Sequence, residues 1–116
     1  MSGFNYDKRR FVGVVNYDDG DLTAETVFVY HQRGKAVWGT VEGGRVLAGT
    51  LVAKVLEDGC LDMVWQYLNT DGRFVTGTCS SKPEIMPDGR YRLHEVWRVH
   101  GERGEDGTSV IEEVRD

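Results

Sequence analysis

The sequence predicts an all-β chain, an eight-stranded antiparallel up-and-down meander closed into a β-barrel. Three observations carry this. Turn chemistry recurs at short, nearly regular intervals, with fifteen glycines against two prolines in 116 residues. The runs between the turns are rich in Val, Thr, Tyr, Trp and Phe, residues that suit a pleated sheet. No run carries the i, i+3, i+4 apolar spacing of a long amphipathic helix. With every connection this short, consecutive strands pair antiparallel, and a meander of about eight strands removes its exposed edges by closing. A chain of this length with 40% hydrophobic residues forms one domain and buries a core without a metal or disulfide staple.

Residues 1–9 read as a flexible N-terminal segment ahead of a first strand near 10–18, which ends at Asp18-Asp19-Gly20-Asp21. Strands follow near 22–32, 36–42, 45–56, 60–70, 73–82, 90–100 and 108–115. They are separated by Arg33-Gly34-Lys35, Gly43-Gly44, Asp58-Gly59, Asp71-Gly72, Pro87-Asp88-Gly89 and Gly101 to Gly107, all rich in residues that tolerate positive φ.

Turn length sets register, and register decides which side chains face inward. A two-residue Gly43-Gly44 turn pairs Glu42 with Arg45 and sets Trp38 opposite Gly49. A three-residue Glu57-Asp58-Gly59 loop pairs Leu51 with Trp65 and Gly49 with Tyr67. A two-residue Asp71-Gly72 turn pairs Trp65 with Thr78 and Tyr67 with Thr76. One face then gathers Trp38, Leu47, Leu51, Met63, Trp65, Tyr67, Phe74, Thr76, Thr78 and Ser80. Strand seven alternates most cleanly: Tyr91, Leu93, Glu95, Trp97 and Val99 form the inner phase, while Arg90, Arg92, His94, Arg98 and His100 face out, with Val96 the one apolar outlier. Strand eight is ambiguous, since Ile111 favours the odd phase inward and Val110 and Val114 the even. If the last turn is centred on Gly104, Glu95 faces Glu113.

An inward carboxylate must find partners or take up a proton. Aromatic walls with a few polar groups are also how a small-molecule site is built at a barrel mouth. Tyr30, Trp38, Trp65, Tyr67 and Trp97 are the expected walls, with Thr76, Thr78, Ser80 and Glu95 orienting polar groups. No metal or cofactor site is expected: His31, His94 and His100 are scattered, and Cys-x-x-Cys and His-x-His spacings are missing. In the predicted hairpin Cys60 and Cys79 are offset by about 10 Å, beyond the roughly 7 Å a disulfide allows. They are expected as free, partly buried thiols. The net charge of −5 and scattered basic residues argue against nucleic acid or an anionic membrane as partner. The opening ten residues hold no apolar run and no stretch reaches membrane-spanning length, so a cytoplasmic location is expected.

The run Phe11-Val12-Gly13-Val14-Val15-Asn16 followed by Gly20 resembles the first strand of the calycin-like barrels, which include avidins and lipocalins. There Gly-x-Trp precedes a polar turn, and here Val15 stands where the Trp would be. The fuller pattern comprises Gln32 to Gly39, Gly43-Gly44, Gly49-x-Leu51, Gly59-x-Leu61-Asp62-Met63, Asn69, Gly77 and Leu93-His94-Glu95-x-Trp97. It is similar, over nearly the whole chain, to short bacterial proteins often labelled N-acetylglutamate synthase. The resemblance implies an avidin-like barrel.

Three functions remain open on the sequence. The first is a binding module holding a small aromatic or amphipathic ligand at one mouth. The second is a lyase or isomerase using Glu95, alone or with Glu113, as acid and base and a Tyr hydroxyl as proton donor. The third is a structural barrel with a filled core, compatible with a homo-oligomer.

Overall fold

The computed structural model describes residues 3–15, 21–101 and 105–115. The described residues form eight strands and no helix: β1 Arg9–Val15, β2 Val27–Arg33, β3 Ala36–Gly43, β4 Val46–Val55, β5 Leu61–Asn69, β6 Phe74–Ile85, β7 Tyr91–Val99 and β8 Asp106–Val114. Each strand pairs antiparallel with the next, and β8 pairs with β1 to close the barrel. The expected architecture is therefore present. The expected end of strand one beyond Val15, the Asp18-Asp19-Gly20 turn and Gly104 lie outside the described residues. Strand two starts at Val27 rather than 22, and strand six runs on to Ile85.

Three turns share one geometry. In Glu57-Asp58-Gly59, Thr70-Asp71-Gly72 and Pro87-Asp88-Gly89 the amide before the loop donates to the carbonyl after it: Leu56 to Cys60 (2.8 Å), Asn69 to Arg73 (3.0 Å) and Met86 to Arg90 (2.8 Å). Each glycine sits at positive φ, between 81° and 89°, as a three-residue hairpin loop requires. The first gives the expected Gly49–Tyr67 and Leu51–Trp65 pairs. The second corrects the expected two-residue turn. Trp65 pairs with Gly77 and Tyr67 with Val75, a slip of one residue that turns Phe74, Thr76, Thr78 and Ser80 outward. Val75, Gly77, Cys79 and Ser81 take their places.

The β3–β4 expectation also fails. Gly43 pairs with Val46, and a bulge between Val41 and Gly43 leaves Trp38 opposite Val52, not Gly49. Trp38 and Leu47 consequently face out, at 40% and 56% exposure. Long-range packing fixes this bulge: the Gly43 carbonyl accepts from Thr26 Oγ1 at 3.1 Å, and a Cβ on Gly43 would lie 2.5 Å from the Glu25 carbonyl oxygen. Strand seven is as read, and β8 resolves to the odd phase, with Ser109, Ile111 and Glu113 buried.

One end of the barrel is plugged by the segment expected to be flexible. From Phe4 onward it is anchored: Tyr6 is fully buried and its hydroxyl donates to the Gly59 carbonyl at 2.6 Å. The Tyr6 amide donates to Gln32 Oε1 at 2.7 Å, and the Lys8 amide to the Tyr30 carbonyl at 2.9 Å. Phe4, Tyr6, Phe11, Tyr30 and Tyr91 form a ring cluster with centroids 4.8–6.4 Å apart, large apolar groups that the sequence offers for burial whatever their position in the chain. Below it lie Val37, Ala53, Val55, Leu61, Met63, Leu93 and Ile111, all buried.

Candidate functional site

At the opposite end Thr26, Phe28, Val41, Val46 and Asn69 are buried, whereas the inward Trp65, Tyr67, Val75, Trp97 and Val99 of β5, β6 and β7 are half-buried. Two cross-strand Trp–Gly pairs shape this mouth. Trp65 is opposite Gly77 and Trp97 opposite Gly107. A Cβ on Gly77 would sit 2.2 Å from Trp65 Cζ2, and one on Gly107 2.6 Å from Trp97 Cζ2. Each indole therefore packs directly against the glycine of the facing strand. Tyr67 stacks on Trp65 with centroids 5.8 Å apart and planes 13° off parallel.

The floor beneath Trp97 is polar. Glu95 is inward and 6% exposed. Ser109 Oγ donates to its Oε1 at 3.0 Å and Cys79 Sγ to its Oε2 at 3.7 Å, with Ser81 Oγ 3.5 Å from the same sulfur. Burial first, then the Glu95 charge, pushes the Cys79 thiol well above its ordinary range, so it stays protonated as a donor rather than acting as a nucleophile. Both Cys60 and Cys79 are free.

The rim is tied by Asp21. Its Oδ2 accepts from the Tyr67 hydroxyl at 3.0 Å and from Asn69 Nδ2 at 3.1 Å, while Arg45 Nε lies 3.5 Å from Oδ1. Burial, followed by the bond to Asp21, raises the Tyr67 phenol above its usual range.

Of the expected site residues, the fold brings Trp65, Tyr67, Glu95 and Trp97 together. Tyr30 is inward but fully buried among Phe11 and Tyr6 in the plugged half, so it is core, not wall. Trp38 is outside, stacked on His31 at 5.9 Å. Thr76, Thr78 and Ser80 are outside as well; Thr78 and Ser80 line an outer-face groove of about 470 Å³ with Asp62, Val96, Arg98, Asp106 and Thr108. The Glu95–Glu113 pair does not form. Glu95 pairs with Ser109, and Glu113 belongs to the plugged end, accepting from Arg9 Nη1 at 2.8 Å and the Tyr91 amide at 2.9 Å. Sequence reasoning missed Cys79, Ser81, Ser109, Asp21 and Asn69. The repeated Asp-Gly of the three loops was the signal that would have placed Cys79 and Ser81 inward.

Among the described residues no group of three or more His, Cys, Asp or Glu side chains is arranged to hold a metal ion. A family model described as avidin-like protein matches residues 4–114. No curated protein and no solved structure matches the chain.

Proposed function

The chain belongs to the avidin-like protein family, and from that premise we propose that it is a binding module for a small ligand with an aromatic or apolar body, seated at the mouth opposite the N-terminal segment. The observation that carries this reading is the asymmetry of the interior. One half is filled by the N-terminal segment and its aromatic cluster, whereas at the other, beside the buried Phe28, Val41 and Val46, the β5–β7 side ends in half-buried Trp65, Tyr67 and Trp97 above a buried carboxylate. Flat π-faces over fixed hydrogen-bonding groups give such a ligand both contact area and orientation.

The filled-core reading describes the plugged half alone. The lyase or isomerase reading is left with Glu95 alone, since Glu113 accepts from Arg9 and the Tyr91 amide at the far end. The resemblance to chains labelled N-acetylglutamate synthase contributes a fold to this reading, and no acyl-transfer step is built on it.

A thermal-shift screen against a metabolite library tests the proposal. Hits should stabilise the protein, and Glu95→Gln, which keeps the shape and the acceptor oxygen, should leave the fold intact while weakening or abolishing the shift. A silent library, or hits indifferent to Glu95→Gln and to Trp97→Leu alike, would refute the mouth as the binding site.

We further propose that the outer face pairs with a second copy of the chain. Trp38, Val52 and Val64 are cross-strand neighbours, 40%, 57% and 55% exposed, an apolar row of the kind that marks association surfaces. Sedimentation should show a dimer or larger that Val52→Lys reduces to monomer; a wild-type monomer at high concentration would dispose of the idea.

A further inference from the structure

The plugged end is built as a recognition site, and its occupant is a segment of the chain itself. Phe4-Asn5-Tyr6-Asp7 is held through backbone and side chains by groups on other elements. Tyr6 is fully buried, with its hydroxyl on the Gly59 carbonyl at 2.6 Å. Gln32 of β2 reads the chain on either side of it: its Oε1 accepts from the Tyr6 amide at 2.7 Å, and its own amide donates to Asp7 Oδ1 at 2.9 Å. Gln32 Nε2 donates to the Gly34 carbonyl at 2.9 Å, which fixes the orientation of that side chain. The Tyr91 hydroxyl of β7 accepts from the Asn5 amide at 3.0 Å. Gly59 leaves the room that Phe4 takes, since a Cβ there would stand 2.3 Å from Phe4 Cδ2.

The segment joins the barrel through one strained residue. Lys8 lies between it and β1, exposed and at a φ of 61°, the one non-glycine at positive φ among the described residues. That conformation carries a backbone cost that an extended residue does not. Rotating Lys8 to extended geometry removes the cost and carries residues 3–7 off their own barrel as a continuation of β1. Six extended residues reach about 20 Å. The two shorter dimensions of the molecule are 27 and 22 Å, so the segment reaches across most of a barrel end that faces it.

We infer that this end is a recognition site for a Phe-x-Tyr-Asp segment, and that a second copy of the chain fills it by exchanging N-terminal segments about Lys8. The groups that read the segment lie on β2, on the loop between β4 and β5 and on β7, all remote from it in sequence, so every copy offers the same site. Exchange preserves these contacts and relieves the strain at both hinges, the circumstance in which a short strained hinge favours swapping. The pair is two-fold, with the plugged ends together and both mouths directed outward. It does not depend on what the mouth binds.

Exchange is tested in full-length chains that all carry Val52→Lys, so that pairing through the outer face does not contribute. They are held at about 1 mM, near the effective concentration that a short tether supplies, and followed by sedimentation equilibrium. Lys8→Val should tighten dimerisation on the order of tenfold, because a β-branched residue is the least suited to positive φ. Lys8→Gly, which adopts that conformation without strain, should weaken it. A synthetic peptide of residues 2–9 should convert the Lys8→Val dimer into a peptide-bound monomer, while the same peptide carrying Tyr6→Ala should not. Monomers throughout, equal dimerisation of the three chains, or a dimer that the peptide leaves intact would overturn the inference. Should Lys8→Val fail to fold, the chain with Lys8 is compared with Lys8→Gly alone, and equal dimerisation of those two refutes exchange.

Discussion

Glycine and carboxylate positions decide most at the scale of single residues. Gly77 is required because the Trp65 ring and the Arg98 carbonyl oxygen, 2.4 Å from where a Cβ would stand, occupy the space of any side chain. Gly77→Ala should cost about 1–3 kcal/mol through forced displacement, measured by urea denaturation, and should shift the Trp65 emission; an unchanged midpoint would mean that the indole does not lie on that strand. At Glu95 the choice of substitution separates shape from polarity. Glu95→Leu leaves Ser109 and Cys79 without their acceptor and should cost about 1–3 kcal/mol, whereas Glu95→Gln should cost less. Equal losses would show that the carboxylate is solvated. In the sequence Glu95 was legible because β7 alternates strictly, with Leu93 and Trp97 flanking it on the apolar phase. Ser109 was not, because β8 has apolar residues on both phases and only pairing with β7 decides between them.

Among the elements, the hairpin loops decide the faces. Three loops carry the same Asp-Gly ending and adopt the same three-residue geometry, yet the loop at Asp71-Gly72 also reads as a two-residue turn, since Asp-Gly is a favoured pair for both. The structure favours the longer form because Asn69 Oδ1 accepts from the Asp71 and Arg73 amides, both at 3.0 Å, while its Nδ2 reaches Asp21. That side chain is the register pin of β5–β6. Asn69→Ala should cost about 1–2 kcal/mol for the lost side-chain bonds, and deleting Thr70 should cost far more, because the shortened turn would drive Phe74, Thr76, Thr78 and Ser80 inward. A Thr70 deletion that kept wild-type stability would contradict the register. The β3–β4 bulge lay beyond local reading altogether: its cause is the packing of Glu25 and Thr26 against Gly43, a contact between segments that no turn rule connects. The same holds for the N-terminal plug, whose Tyr6 finds its acceptor on Gly59, 53 residues on.

For the whole molecule, the closed meander, its strand order and the inward phase of β5 and β7 were legible from turn spacing and alternation, and half of the mouth came with them. The polar floor depended on one residue of register and the filled end on tertiary contact. The buried titratable groups also give the molecule a pH dependence. Burial raises Tyr6 and Tyr67 above the ordinary phenol value of 10.0 and Cys79 above the ordinary thiol value of 9.0. Each holds its proton more tightly folded than unfolded, so its contribution is full below those values and is lost as pH rises beyond them. Stability to urea should fall progressively above about pH 9, and a flat profile to about pH 11 would mean that these groups are solvated. The central claim is that Trp65 and Trp97 face a binding mouth while Trp38 faces out, and the indole N–H resonances of the three test it most directly. On titration with a ligand found by thermal shift, the Trp65 and Trp97 signals should move together and saturate at the same concentration while Trp38 stays in place. Movement of Trp38 with Trp65 and Trp97 unperturbed would put the ligand on the outer face and contradict the claim.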